Sequence, residues 1–165
     1  MKELLSNLIE ALREELKQYG EMLALLDQQQ HLVVHRRVAA LPDHVACVNA
    51  QAGVIAAARQ EREQRQRHLV RLLALPESTT FAVLIPQLPA DYRPLVEALV
   101  AENNELLVRV QQRARQNHLL LSHCVELMQQ LINSIVPGVS PTTYDGSGRV
   151  PMAAVAPQPL YQAVG

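Results

Sequence analysis

Apolar residues recur along this chain at spacings that alternate between four and three. In the first interval they are Leu5, Ile9, Leu12, Leu16, Tyr19, Leu23 and Leu26, with Gln30 and Val33 keeping the phase. Val45, Val48, Ala52, Ile55, Arg59, Arg62, Gln66, Leu69 and Leu73 repeat the pattern. Val96, Leu99, Asn103, Leu106, Val110, Arg113, Asn117, Leu120, Cys124, Leu127 and Leu131 repeat it again. A repeat averaging about 3.5 residues keeps one stripe turned toward a partner helix. Proline is absent between Lys2 and Leu41, between Asp43 and Leu75, and between Leu95 and Val136. Helices are therefore predicted over 2–41, 43–75 and 90–136, with Pro94 in the first turn of the last. At ~1.5 Å per residue such helices run roughly 50–70 Å. Only side-by-side contact buries stripes of that length, so the expected fold is all-α, an elongated antiparallel bundle of three long helices.

The connections carry turn chemistry. Pro42-Asp43 offers a capping carboxylate to the second helix, and Asp91 offers one to the third. Ser78-Thr79-Thr80 precedes a short helical piece over Phe81 to Ile85. Gly20 and Gly53 interrupt long helices, each at a cost of ~1 kcal/mol relative to Ala, and mark a bend or a close backbone approach.

Polar residues enter two seams. Arg59 through His68 is charged or polar on every face, which reads as a solvated stretch laced with Glu–Arg pairs. Asn103, Arg113 and Asn117 sit on the third seam. They read either as a register device or as the sign of a helix left partly uncovered for another protein.

The end of the chain differs in kind. Residues 137–165 hold five Pro and four Gly, and only Asp145 and Arg149 are charged. Short apolar islands such as Val150, Met152, Val155, Leu160 and Tyr161 suit a flexible tail that docks on a partner. The organisation expected is a helical bundle over 1–136 followed by this tail.

Composition narrows the function. The chain has 165 residues, 48% hydrophobic and 19% charged, which is globular rather than disordered. Its net charge is −1, and one Phe, four Tyr and no Trp leave almost no stacking surface, so nucleic acid is not an expected partner. No signal peptide, membrane span, phosphate loop, GxSxG or HExxH is present, and a soluble cytoplasmic protein without enzymatic activity is expected. One constellation could serve a metal: His44 with Cys47, and His118 with His123-Cys124, fall near one end of an antiparallel bundle. Cys124 occupies a seam position, which suits a buried small apolar group better, so no metal or other cofactor is assigned.

Several stretches together resemble the FlgN family of flagellar export chaperones. Leu16, Glu21, Leu25, Leu26 and Asp27 resemble its long N-terminal helix. Glu61 through Arg65-Gln66-Arg67-His68-Leu69-Val70-Arg71-Leu72-Leu73 is similar to its acidic-Arg stretch ending in paired leucines. Gln116-Asn117-His118-Leu119-Leu120-Leu121 is similar to its Asn-x-x-Leu-Leu stretch, and Thr143-Tyr144-Asp145-Gly146-Ser147-Gly148 to its C-terminal Tyr-x-x-x-Gly. The resemblance implies a chaperone that binds the helix-forming ends of hook-associated (hook–filament junction) proteins and delivers them to the type III export gate. The strong stripe beside the tail then makes Leu120, Cys124, Leu127, Leu131 and Ile135 the expected cargo-binding residues. By analogy with the family's tyrosine, Tyr144 is expected to dock at the gate. The alternative is a structural coiled-coil subunit of a secretion or cytoskeletal assembly, and the seams are compatible with a homo-oligomer.

Overall fold

The computed structural model describes residues 1–135; the expected tail at 137–165 lies outside the described residues. Four helices follow one another: α1 (Lys2–Val34), α2 (Leu41–Leu72), α3 (Phe81–Leu84) and α4 (Arg93–Ile135), with 3₁₀ turns at Val38–Ala40 and Ile85–Gln87. No strand occurs among the described residues. The three long helices and the short connecting piece are those read from the periodicity. No helix there is long and apolar enough to cross a membrane. The chain divides into two units, Met1–Cys124 and Val125–Gly165.

Within Met1–Cys124, side-chain bonds give the helix directions. Glu15 meets Arg62, Gln18 meets Gln51, and Leu25 meets His44, so α1 and α2 are antiparallel. Asn103 bonds to Leu12 and Asn117 to Leu26, so α4 runs parallel to α1 at a constant offset of 91 residues.

The helix ends correct the proline-based boundaries. α1 stops at Val34 rather than running to 41. Arg36 turns left-handed (φ 57°). The Arg37 N–H then donates to the Leu32 carbonyl at 2.9 Å and the Arg36 N–H to Val33 at 3.1 Å. This pattern satisfies the last orphan carbonyls of a helix. α2 ends the same way: Ala74 has φ 53°, Leu75 N–H reaches Val70, and Leu75 packs on the apolar core. A side chain in this conformation costs roughly 1–2 kcal/mol, which is why glycine is the usual signal there. α2 begins at Leu41 with Pro42 in its first turn, so Asp43 lies inside the helix rather than before it. Thr80 precedes α3 as expected, yet caps it with its carbonyl and not its side chain. Asp91 also misses the cap position: the Val96 N–H donates to the Tyr92 carbonyl at 3.1 Å, and α4 starts at Arg93. A Cβ on Gly20 or Gly53 would meet nothing within 4 Å, so neither marks a close approach.

Burial redraws the first seam. The buried residues of α1 are Leu5, Leu8, Ile9, Ala11, Leu12, Glu15, Gln18, Tyr19, Met22, Leu26 and Gln29. Five of the nine expected positions hold, Leu5, Ile9, Leu12, Tyr19 and Leu26; Leu16, Leu23 and Gln30 give way to neighbours one residue earlier. The apolar residues divide into two clusters. Leu5, Leu8, Ile9, Leu12, Leu69, Val70, Leu84, Leu88, Val96 and Leu99 form one; Tyr19, Met22, Leu26, Val48, Val110 and Ala114 form the other.

A polar layer separates them. The buried Glu15 carboxylate accepts from Arg62 Nε at 3.0 Å and from the Tyr19 hydroxyl at 2.9 Å. Arg62 also donates to Gln66 at 3.1 Å and stacks over the Phe81 ring at 5.8 Å. Gln51 Nε2 donates to the Gln18 side chain at 2.7 Å and to its carbonyl at 3.1 Å. The stretch expected to be solvated thus turns one face of arginine and glutamine inward, because α1 supplies the matching polar partners.

Burial, and then the neighbouring Glu15 charge, push the Tyr19 hydroxyl far above its ordinary 10.0. The folded chain therefore keeps this proton where the unfolded chain loses it. Stability is full below pH 10 and falls above it, by up to ~1.4 kcal/mol per pH unit. Urea midpoints measured from pH 8 to 11 should decline less steeply above pH 10 in Tyr19→Phe than in the parent; parallel curves would refute the assignment.

Candidate functional site

α4 carries one apolar stripe along its whole length, but what lies over the stripe changes. Val96, Leu99, Val110 and Ala114 are buried on it, as are Asn103 and Asn117. The two asparagines lie two heptads apart and answer the same question in the same way. Asn103 Nδ2 donates to the Leu12 carbonyl at 3.0 Å, and Asn117 Nδ2 to the Leu26 carbonyl at 2.7 Å. Asn117 Nδ2 also donates to Gln29 at 3.0 Å. Oδ1 of each amide is buried without a hydrogen-bond partner. An orphaned acceptor costs about 1–3 kcal/mol, which offsets the ~1 kcal/mol of each bond made. The pair therefore adds little stability and instead fixes alignment, since a slide of α4 would strand the amide donors as well. Arg113 adds an edge contact, its Nε 2.7 Å from Asp27 and its Nη1 2.7 Å from Gln30. Of the two expectations for these polar seam residues, the structure supports the register device.

The offset that these contacts define runs out where α1 ends at Val34. Among the expected cargo-binding residues, Leu120 and Cys124 are half-buried at the end of the first unit. Leu127 and Leu131, in Val125–Gly165, are each 60% exposed. Ile135 ends the helix, and its side chain is outside the described residues, as is Tyr144.

Three further residues belong to this face. Val125, Met128 and Ile132 are exposed at 54%, 49% and 61%. Their four-and-three spacing was present in the sequence, one position beside the stripe already traced. With Leu127 and Leu131 they place five large apolar side chains on eight residues, while Glu126, Gln129 and Gln130 fall on the opposite side of the helix. Contiguous exposed apolar surface of this kind marks an interaction site more often than chance solvent contact. Its chemistry is that of one half of a helix–helix seam: it offers shape and apolar area, with few charges to steer a partner.

Elsewhere the functional candidates are occupied. His44 is buried, its Nε2 2.7 Å from the Leu25 carbonyl, while Cys47 is exposed and Cys124 half-buried. Among the described residues no group of three or more His, Cys, Asp or Glu side chains is placed to hold a metal ion. A shallow groove between α1 and α2 is lined by Asn7, Glu10, Glu14, Glu61 and Arg65. Two of its three carboxylates are engaged, Glu14 with Gln18 at 2.6 Å and Glu61 with Arg65 at 2.7 Å.

Comparison with the curated proteins and with the solved structures found no match. The family model described as FlgN protein matches residues 1–151, nearly the whole chain and all of the described residues. A fold of long helices accords with that match, and the chain belongs to the FlgN family of flagellar export chaperones.

Proposed function

We propose that this protein is a cytoplasmic chaperone that holds the helix-forming ends of hook-associated (hook–filament junction) proteins and delivers them to the type III export gate. The observation that carries this is the apolar face at Val125, Leu127, Met128, Leu131 and Ile132, exposed on a helix whose earlier stripe is buried. Unassembled coiled-coil termini present the complementary stripe, and covering it reversibly prevents early polymerisation. Leu120, Cys124 and Ile135 extend the proposed contact at either end. Binding buries apolar area on both partners, and the ordering of the cargo chain subtracts from the gain, which keeps release accessible.

The test is capture of a cargo terminal segment by a variant with Leu127→Gln and Leu131→Gln. Affinity equal to the parent's would remove this face from the binding site. Tyr144 is proposed to dock the loaded chaperone at the gate. Tyr144→Ala should leave cargo affinity unchanged and lower motility in swim plates; unaltered motility would count against that role.

A structural coiled-coil subunit would use the same face for self-association. Light scattering separates the two, because a chaperone changes mass when cargo is added and an assembly subunit changes mass with its own concentration.

A further inference from the structure

Of the six histidines, His31 and His35 are one helical turn apart, at the C-terminal end of α1. Their ring centroids are 3.9 Å apart, with the planes at 74°. Both side chains are exposed. Among the described residues neither ring takes part in a hydrogen bond or an ion pair, in contrast to His44, whose ring is held by a backbone carbonyl. The backbone under the pair is fixed. His35 N–H bonds to the His31 carbonyl at 3.0 Å, and the left-handed turn at Arg36 closes the helix immediately afterward.

We propose that His31 and His35 form a two-imidazole chelate site for a borderline divalent transition-metal ion of the zinc, nickel and copper class. Neutral imidazole donates a nitrogen lone pair to such ions at about 2.0–2.1 Å. Two histidines at i and i+4 share a helix face, the arrangement that helical zinc sites use for two of their ligands. The rings already meet edge to face with centroids 3.9 Å apart, so both are held within reach of one ion. Each ring displaces a water from the ion without a change in oxidation state. Hard ions such as magnesium and calcium prefer oxygen donors and do not suit the pair. With no third protein ligand among the described residues, the remaining coordination positions stay open to water or to a donor from another molecule. A bound ion would tie His31, in the last turn of α1, to His35 at its C-terminal cap.

Titration of the untagged chain with zinc chloride and nickel chloride, followed by calorimetry and by thermal melting, tests the site. The expected result is one ion per chain and a raised melting midpoint, with magnesium chloride producing neither. His31→Gln and His35→Gln, both at exposed positions and therefore compatible with folding, should each weaken binding at least tenfold. His68→Gln and Cys47→Ser should bind as the parent does. The proposal is overturned if no zinc or nickel binds at 100-fold molar excess. It is equally overturned if the His31→Gln and His35→Gln chains bind with parental affinity, since the ion would then lie elsewhere. Neither outcome bears on cargo capture, whose proposed residues include neither histidine.

Discussion

Replacing Leu127 and Leu131 together by glutamine is expected to weaken cargo capture by about 1,000-fold while leaving the fold intact. Each leucine is 60% exposed in the free chain, so most of its surface is available for burial by a partner. Burying a leucine contributes about 1.5–3 kcal/mol, and the two together about 4 kcal/mol, which corresponds to three decades in the dissociation constant. Glutamine is chosen because its helix propensity is close to that of leucine, whereas aspartate would also disfavour the helix. Exposed substitutions of this kind change stability by no more than ~0.5 kcal/mol. Leu119 supplies the control. It is also 60% exposed, but it points off the stripe, and Leu119→Gln should bind cargo as the parent does. Calorimetry against a cargo terminal segment reads both. Equal loss from the control and the stripe variant would mean that general greasiness, and not this face, drives capture.

The second large effect concerns stability. Arg62→Ala should destabilise the chain by about 3 kcal/mol, because it leaves the Glu15 carboxylate, 5% exposed, without its close partner. Arg59 remains, but at 3.9 Å and 38% exposed it compensates weakly. Loss of the Gln66 bond and of the contact with Phe81 adds to the cost. For a domain of this size that is a fall of roughly 10 °C in melting temperature. The double variant Glu15→Gln with Arg62→Met should return to within ~1 kcal/mol of the parent. It removes both charges while keeping an acceptor for the Tyr19 hydroxyl and apolar bulk over Phe81. Urea denaturation of the three chains decides it: were Arg62→Ala no less stable than the double variant, the ion pair would be a surface contact of little weight.

This polar layer also explains where the sequence was hard to read. On α2 the seam from Val48 through Ile55 and Leu69 was legible, since apolar residues and the four-three rhythm agree. On α1 they disagree. The inward positions include Glu15 and Gln29, and apolar Leu16 and Leu23 sit beside the true seam, so a search for apolar residues drifts by one position. Nothing local marks Glu15 as buried, because Arg62 lies 47 positions away. Helix ends were missed for a related reason. Arg36 and Ala74 adopt a glycine-like conformation without being glycine, and a proline-based reading cannot detect them.

The candidate face was partly legible. Its residues follow from periodicity alone. The exposure of Val125, Leu127, Met128, Leu131 and Ile132 is not written in the four-three rhythm, which buried and exposed stretches of α4 share.

One consequence follows from the acceptors that Asn103 and Asn117 use. Both amides reach peptide oxygens, at Leu12 and Leu26, and Asn117 adds the Gln29 side chain. The instruction for alignment is thus written on one helix and read by a surface that every sequence possesses. The exposed residues of the first helix can thus change, generation after generation, without costing it its place against the last, so long as its buried face and two asparagines elsewhere are kept.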